Sequence, residues 1–201
     1  MNTPTRRKIR VGIGVAALVL AAAALGAGTY AAFVDSESGP GGTIAAGTLD
    51  LTVGSTGTTQ LFSAANIVPG YTQDVAITLK NAGSVPGTLT STLAVTGADV
   101  TCTEPEAEAE GKAAGACNTA GDLQNQMTVS VIKGPGITTA TAPVTVAQFA
   151  TSGLPAAGTL AAGASTEYDL RFTLPNLSGT ENNKVQGDSL NLTSSFLITQ
   201  S

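Results

Sequence analysis

The sequence predicts an all-β fold in which antiparallel sheets pack face to face. Apolar and polar residues alternate with a period of two in several segments beyond Gly47, which is the pattern of half-buried strands. Clusters of Gly, Pro and Asn, which form turns, separate these segments. Half-buried strands joined by such turns are typical of a β-sandwich or a jelly roll. We therefore expect at least six strands in one domain.

Each predicted strand carries one apolar face. In the first half of the chain the inward positions are Leu49, Leu51 and Val53, then Val75, Ile77 and Leu79, then Leu89, Leu93 and Val95. We predict that the second and third of these strands, joined by residues 81–87, are antiparallel neighbours. In the second half the inward positions are Met127, Val129 and Val131, then Tyr168, Leu170, Phe172 and Leu174, then Leu190, Leu192, Phe196 and Ile198. Residues 144–151 fit either a short helix or another strand.

The N-terminus has the three parts of a secretory signal. Four of the nine basic residues lie in the first ten positions, and residues 11–28 are apolar or small without any charge. The small residues that follow predict a signal helix within residues 1–31, with cleavage at Ala31 or Ala32. A retained membrane anchor is the alternative, because such a run could just span a bilayer. Behind residue 31 we expect an N-terminal segment, 32–46, and a β-sandwich domain, 47–201, with an insertion at 98–122.

Two cysteines, Cys102 and Cys117, enclose a polar stretch within that insertion. An even number of cysteines in an exported protein favours a disulfide, which would stabilise the fold by about 3 kcal/mol in the chain-entropy model. Two free thiols are the alternative if the chain is not exported. The stretch contains Glu104, Glu106, Glu108 and Glu110. They lack the Asp, Asn and Gly spacing of a calcium-binding loop, so we expect a solvated acidic loop.

The sequence contains no histidine, which excludes His-based zinc motifs and Ser/His or Cys/His nucleophile pairs. We therefore predict no catalytic residue, no cofactor and no metal ligand. Beyond residue 10 the chain has five basic and 14 acidic residues, and 5 − 14 gives a net charge of −9. Such a surface repels phosphates, so nucleic acid is excluded as a partner.

Three segments together resemble the TasA/camelysin family of secreted bacterial proteins. They are residues 29–35 with 45–51, residues 68–70 leading into 79–84, and residues 183–189 followed by a strand that ends at Thr199 and Gln200. The resemblance implies a jelly-roll domain, export through a signal peptidase of the SipW type, and assembly into biofilm-matrix or surface fibres. The resemblance to camelysin also implies a metallo-endopeptidase activity. In a chain without histidine, carboxylate or thiolate groups would have to bind the catalytic metal.

In fibres of this family, the N-terminal segment freed by cleavage is thought to add as a strand to the next subunit. Carried over to this sequence, the donor strand would begin at Phe33 and Val34 and end near Leu49 and Leu51. The implied partners are further copies of the chain, joined head to tail, and an accessory assembly protein. Contact with the membrane would be confined to the signal peptide before cleavage.

Three alternatives to a donor strand and a fibre stay open. Residues 36–42 are rich in Gly and contain Pro, which makes a poor strand, so this segment could be a flexible tail without a specific role. The domain could instead be a monomeric surface protein that binds a ligand through the Cys102 to Cys117 stretch. It could also be a camelysin-like metalloendopeptidase.

Overall fold

A computed structural model of the chain describes residues 43–44, 47–51 and 56–200. The strands in this part are β1 (Thr43–Ile44), β2 (Gly47–Leu51), β3 (Thr56–Ala65), β4 (Thr72–Asn81), β5 (Gly87–Asp99), β6 (Thr128–Lys133), β7 (Val144–Thr145), β8 (Thr159–Leu160), β9 (Ser165–Thr173) and β10 (Asp188–Gln200). The helices are α1 (Glu104–Ala109), α2 (Leu123–Gln126), α3 (Val146–Ser152) and α4 (Gly179–Asn183). None of these described helices has the length and apolar character that crossing a membrane requires.

The described strands form two five-stranded sheets with the orders β1-β3-β10-β5-β8 and β2-β4-β9-β6-β7. From β1 to β6, and again from β8 to β10, consecutive strands lie in opposite sheets. Apart from the parallel pair of β2 and β4, all pairings are antiparallel. Without the N-terminal strands β1 and β2, each sheet has four strands, as in a jelly roll. The all-β sandwich predicted from the sequence is confirmed.

The prediction that strands β4 and β5 are neighbours was wrong. β4 pairs with β2 and β9, whereas β5 pairs with β10 and β8 in the other sheet. The chain changes sheets around Asn81, which is fully buried. The Asn81 side-chain amide donates to the carbonyls of Val85 at 2.9 Å and Leu160 at 3.1 Å, and its oxygen accepts the N–H of Gly83 at 3.0 Å. These bonds tie the connection to β8 at the edge of the opposite sheet.

The predicted inward positions form the core between the sheets. All of those that the structure describes are buried except Val95, which is partly buried. The two sheets meet in a stacked aromatic pair, Phe62 of β3 and Phe172 of β9, with ring centroids 4.2 Å apart and planes 10° from parallel. Both rings have no exposed surface. Since β3 and β9 belong to different sheets, this contact joins the two layers.

Strand β3 was not predicted from the sequence. Along its pairing with β10, Phe62 faces Leu192 and Gln60 faces Thr193, so Leu61 is the extra residue of a β-bulge. Leu61 and Phe62 are both fully buried although they are consecutive. The bulge therefore breaks the alternation by which the other strands are recognised.

The segment 144–151, left open between helix and strand, contains both. Val144 and Thr145 form β7, and the helix α3 begins directly afterwards. Thr145 accepts the N–H of Gln148, and the Gln148 side chain accepts the N–H of Thr145. This capping box fixes the start of the helix and ends the strand.

We expect Phe172→Ala to lower the free energy of unfolding by about 3–5 kcal/mol, because it leaves a cavity beside Phe62. Urea unfolding followed by far-UV circular dichroism measures this. Leu197→Ala is the control, since Leu197 lies on the same sandwich but is 37 % exposed. A loss for Phe172→Ala no larger than that for the control would contradict the assignment of this aromatic pair to the centre of the core.

Candidate functional site

The two N-terminal strands lie along one edge of the sandwich. β1 pairs with β3 through Thr43 opposite Ser63 and Ile44 opposite Phe62. β2 then pairs with β4 in the other sheet, from Gly47 beside Ile77 to Leu51 beside Asn81. The chain thus passes from one sheet to the other along the edge formed by β3 and β4.

The structure describes only the end of the predicted donor strand. The predicted cleavage residues, Ala31 and Ala32, and the first donor residues, Phe33 and Val34, lie outside the described residues. Leu49 is part of β2 and aligned with Leu79, and its side chain lies outside the described part. Leu51 is buried in the chain's own core, and its carbonyl accepts the N–H of Ala82 at 2.7 Å. The donor role of this segment stays a prediction.

Part of this edge is open in the described part of the chain. From Gly57 to Leu61, β3 has a strand neighbour on one side only, which is β10. From Thr72 to Ala76, β4 likewise has only β9 as its neighbour. Rows of unpaired backbone N–H and C=O groups at such edges can pair with an added strand.

The predicted disulfide between Cys102 and Cys117 is present, with 5.5 Å between the Cα atoms. The enclosed residues 102–117, here called the disulfide loop, contain helix α1. Thr103 accepts the N–H of Glu106 at 3.3 Å, and the Glu106 carboxylate accepts the N–H of Thr103 at 3.2 Å. This capping box starts the helix and turns the Glu106 side chain back into the loop.

The expectation of a solvated acidic loop was wrong for two of its four glutamates. Glu104 and Glu108 are exposed, but Glu106 is fully buried and the Glu110 side chain is only 4 % exposed. Glu110 is held by the N–H of Asn118 at 2.8 Å and by an ion pair with Lys112 at 3.0 Å. Residues at every second position point to different sides of a helix, so their regular spacing does not make them one exposed row.

Three carboxylates that influence one another electrostatically lie near the junction of the disulfide loop and the sandwich, and we call Asp99, Glu106 and Asp188 the carboxylate cluster. Asp99 ends β5, and Asp188, which begins β10, is its direct partner in register. Carboxylate oxygens of Asp99 and Glu106 lie within 4.8 Å of each other and of the two cysteine sulfurs. Glu106 and Asp188 are buried.

Burial raises the pKa of two members of the carboxylate cluster, Glu106 and Asp188. The pKa of Glu106 is raised to about 7, mainly by burial and in addition by the negative charges of Asp99, Asp188 and Glu110, while the hydrogen bond from the Thr103 N–H opposes this increase. Burial also raises the pKa of Asp188 to about 6. The N–H groups of Asp122 and Leu123, which donate to Asp188 at 2.6 and 2.9 Å, oppose that increase.

Asp99 and Asp188 were not singled out from the sequence. A signal for Asp188 is present, because it extends the inward series of Leu190 and Leu192 by two residues. An acidic residue at an inward strand position is rare unless its side chain is paired with another group. Asp99 also continues the inward series of its strand, four residues beyond Val95, but Gly97 interrupts the apolar pattern between them.

A model of the camelysin metallo-endopeptidase family matches residues 6–201. The chain belongs to the camelysin family. The resemblance to TasA and camelysin found in the sequence is thereby confirmed. No curated protein matches the chain significantly.

The family's description implies a catalytic metal, and the donors in the described part of this camelysin-family chain do not fit one. The chain has no histidine, and the group of potential ligands in its described part is Asp99, Cys102, Glu106 and Cys117. Both sulfurs are joined in the disulfide, which leaves oxygen donors only. A catalytic zinc in a peptidase is held by histidine or cysteine ligands, alone or together with a carboxylate, and keeps a position open to substrate. Glu106 is fully buried, which leaves a substrate peptide no access to its carboxylate.

Replacing both Cys102 and Cys117 by Ser should lower the free energy of unfolding by about 3 kcal/mol, since the disulfide closes a loop of 15 residues. Urea unfolding of both proteins without reductant measures the difference. With dithiothreitol present, the wild type should fall to the stability of the variant. A variant as stable as the oxidised wild type would contradict a stabilising role for the disulfide.

In buffer with EDTA, we expect stability to fall as the pH rises from about 4.5 through about 7. The pKa of Glu106 is raised on folding from 4.5 to about 7, so the folded state holds this proton more tightly and loses that advantage once the proton leaves. Asp188 acts in the same direction between 3.8 and about 6. Urea midpoints at pH 5 and pH 8 should differ less for Glu106→Gln than for the wild type. An equal difference in both proteins would exclude Glu106 as a cause.

Proposed function

We propose that this camelysin-family chain is a secreted, non-enzymatic structural subunit that assembles into extracellular biofilm-matrix or surface fibres by strand addition. The observation that carries the proposal is the open edge of β3 from Gly57 to Leu61. In this scheme, cleavage near Ala31 frees an N-terminal segment, and this segment pairs with the open edge of another copy. Main-chain hydrogen bonds would then join the subunits.

Apart from the β-bulge at Leu61, at its end, the open edge of β3 lacks the features by which natural sheets prevent such pairing. Edge strands are commonly protected by lysine, other charges or proline. Residues 57–61 contain Gly, Thr, Gln and Leu, with no charged residue and no proline. The open stretch of β4, by contrast, contains Asp74, which forms an ion pair with Arg171 at 2.7 Å. We therefore favour β3 as the acceptor.

The register of β1 favours pairing between copies over pairing within one chain. β1 runs antiparallel to β3, with Thr43 opposite Ser63. A strand that extended β1 toward its N-terminus in this register would meet Ala64 and Ala65 and then pass the end of β3. It would run away from Gly57 to Leu61. The donor and acceptor surfaces thus differ, and such a heterologous contact propagates as a filament when it does not close into a ring.

A charge at the open edge should block fibre growth. We expect Thr58→Lys with Gln60→Lys to keep the protein unpolymerised, because both residues are exposed on the open stretch of β3 and lysine disfavours edge pairing. Ser195→Lys with Leu197→Lys is the matched control, with two exposed residues of β10, which is paired with β3 on one side and with β5 on the other at both positions. Electron microscopy and sedimentation of the secreted proteins measure assembly, and thermal unfolding verifies that both variants fold.

Removal of residues 33–42 should have the same effect as the lysines on β3. The proposal is wrong if the edge variant forms fibres like the control. It is also wrong if the wild type stays monomeric across pH and protein concentration.

A second candidate function is that of a monomeric binding domain. A cleft of about 430 Å³ lies beside the disulfide loop and is lined by Glu110, Lys112, Asn118, Glu181 and Lys184, among others. Its charged and amide groups suit a small polar ligand. This function predicts saturable binding by a protein that sediments as a monomer.

The peptidase alternative instead requires chelator-sensitive cleavage of casein by protein free of other proteases.

A further inference from the structure

Four donor atoms converge where the disulfide loop meets the end of β5, and all four lie within 4.8 Å of one another. They are the sulfur atoms of Cys102 and Cys117 and one carboxylate oxygen each of Asp99 and Glu106. The ligands of a tetrahedral zinc ion lie about 3.3–3.8 Å apart, since zinc binds sulfur at about 2.3 Å and carboxylate oxygen at about 2.0 Å. With the cysteine Cα atoms 5.5 Å apart, side-chain rotation alone can bring the four atoms around one ion once the disulfide is opened.

Glu106 is already held in position for a ligand. Its side chain is fully buried, and its Oε2 accepts the Thr103 N–H at 3.2 Å. Its Oε1 is buried without a hydrogen-bond partner, and the same holds for Oδ1 of Asp99. Buried oxygens of this kind are rare in native proteins unless they bind water or an ion. These two oxygens therefore indicate that the place can hold a positively charged ligand.

The charge around the disulfide favours a divalent cation in the reduced protein. Asp99 and Glu106 take part in none of the four ion pairs found in the part of the chain that the structure describes. Ionised thiols at Cys102 and Cys117 would place further negative charge beside these two carboxylates. Keeping such charges out of water without a counter-charge is costly. The reduced protein therefore gains more from a bound cation than the oxidised protein does.

The surroundings of the two sulfurs also suit a metal site. The Cys117 N–H donates to Cys102 Sγ at 3.1 Å. Hydrogen bonds of this kind favour the charged form of the acceptor and orient it around a metal. Cys102 is partly exposed, so a reductant can reach the disulfide, whereas Cys117 and Glu106 are buried.

We propose that the reduced protein binds one zinc ion through the sulfurs of Cys102 and Cys117 and through one carboxylate oxygen each of Asp99 and Glu106. In a two-electron exchange, a dithiol reductant is oxidised to its own disulfide while the protein disulfide is reduced to two thiols. Zinc then displaces the two thiol protons, and both acidic residues bind as carboxylates. Zinc is preferred over calcium or magnesium, because thiolates are soft ligands.

The zinc site is closed, unlike the site of a metallopeptidase. Four protein ligands complete the tetrahedral coordination and leave no position for a substrate. The metal and the disulfide are thus two alternative ways of closing the same loop, one for the reduced and one for the oxidised protein. The proposal does not depend on fibre assembly.

The test uses the full-length chain, reduced with a phosphine and kept free of oxygen at pH 8. Equilibrium dialysis should give one zinc ion per reduced chain, with a Kd below about 1 µM, and none per oxidised chain. Zinc at 100 times Kd should raise the Tm of the reduced protein by roughly 5–10 °C. Cobalt(II) in the same site should show the charge-transfer absorption of thiolate ligands and the intense visible bands of tetrahedral geometry.

Glu106→Gln is the decisive variant, because glutamine can still accept the Thr103 N–H in the capping box but offers zinc no carboxylate. We expect zinc to bind the reduced variant about tenfold or more weakly than the reduced wild type. The oxidised variant should be at least as stable as the oxidised wild type, which shows that it folds. Glu108→Gln is the control, since Glu108 is exposed on the same helix, and it should bind zinc like the wild type.

Any of three results would overturn the zinc site. The first is a reduced wild type that binds no zinc, or whose Tm does not rise when zinc is added. The second is a Glu106→Gln protein with the zinc affinity of the wild type, because the cysteines would then bind the metal without this carboxylate. The third is a cobalt spectrum that lacks thiolate absorption, or one that persists when Cys102 and Cys117 are both replaced by Ser.

Discussion

Phe62 of β3 and Phe172 of β9 stack across the interior with their ring centroids 4.2 Å apart, and the rest of the fold depends on this contact between the sheets. Each sheet can bury its apolar face only against the other. The chain meets this requirement by changing sheets at almost every connection. Hydrogen-bonded neighbours are therefore distant in sequence, as in β10, which pairs with β3 on one side and β5 on the other.

This topology explains what the sequence could and could not predict. Alternation reports which face of a strand is buried, so inward residues such as Leu79, Leu170 and Leu192 were identified correctly. Alternation carries no information about which strand is the neighbour. Strand pairing here joins segments that are separated by many residues, and a local pattern does not report such pairing. The connection around Asn81 resembles a hairpin in sequence, yet its side chain bonds to Leu160 in the other sheet. The β-bulge at Leu61 interrupts the alternation in β3, so this strand was not predicted.

The disulfide that closes the loop was predicted from the sequence, but the burial of two glutamates in the loop was not. The spacing of its glutamates indicates polarity, whereas the burial of Glu106 follows from a capping box and from strands that come from both ends of the domain. Asp99 and Asp188 are 89 residues apart, and only the pairing of β5 with β10 brings them together. Features of this kind depend on tertiary structure. The proposed function in fibres, in contrast, was suggested by the resemblance of several motifs to the camelysin family and not by any single residue.

The carboxylate cluster and the open edge lie toward opposite ends of β10, which separates their physical roles. Asp188 begins this strand, whereas the open stretch of β3 pairs with its later residues, from Thr193 opposite Gln60 to Phe196 opposite Gly57. Eight residues of extended strand from Asp188 to Phe196 span about 26 Å. The hydrogen bonds that Asp188 accepts from Asp122 and Leu123 and the proposed strand addition at β3 thus involve different parts of one central strand.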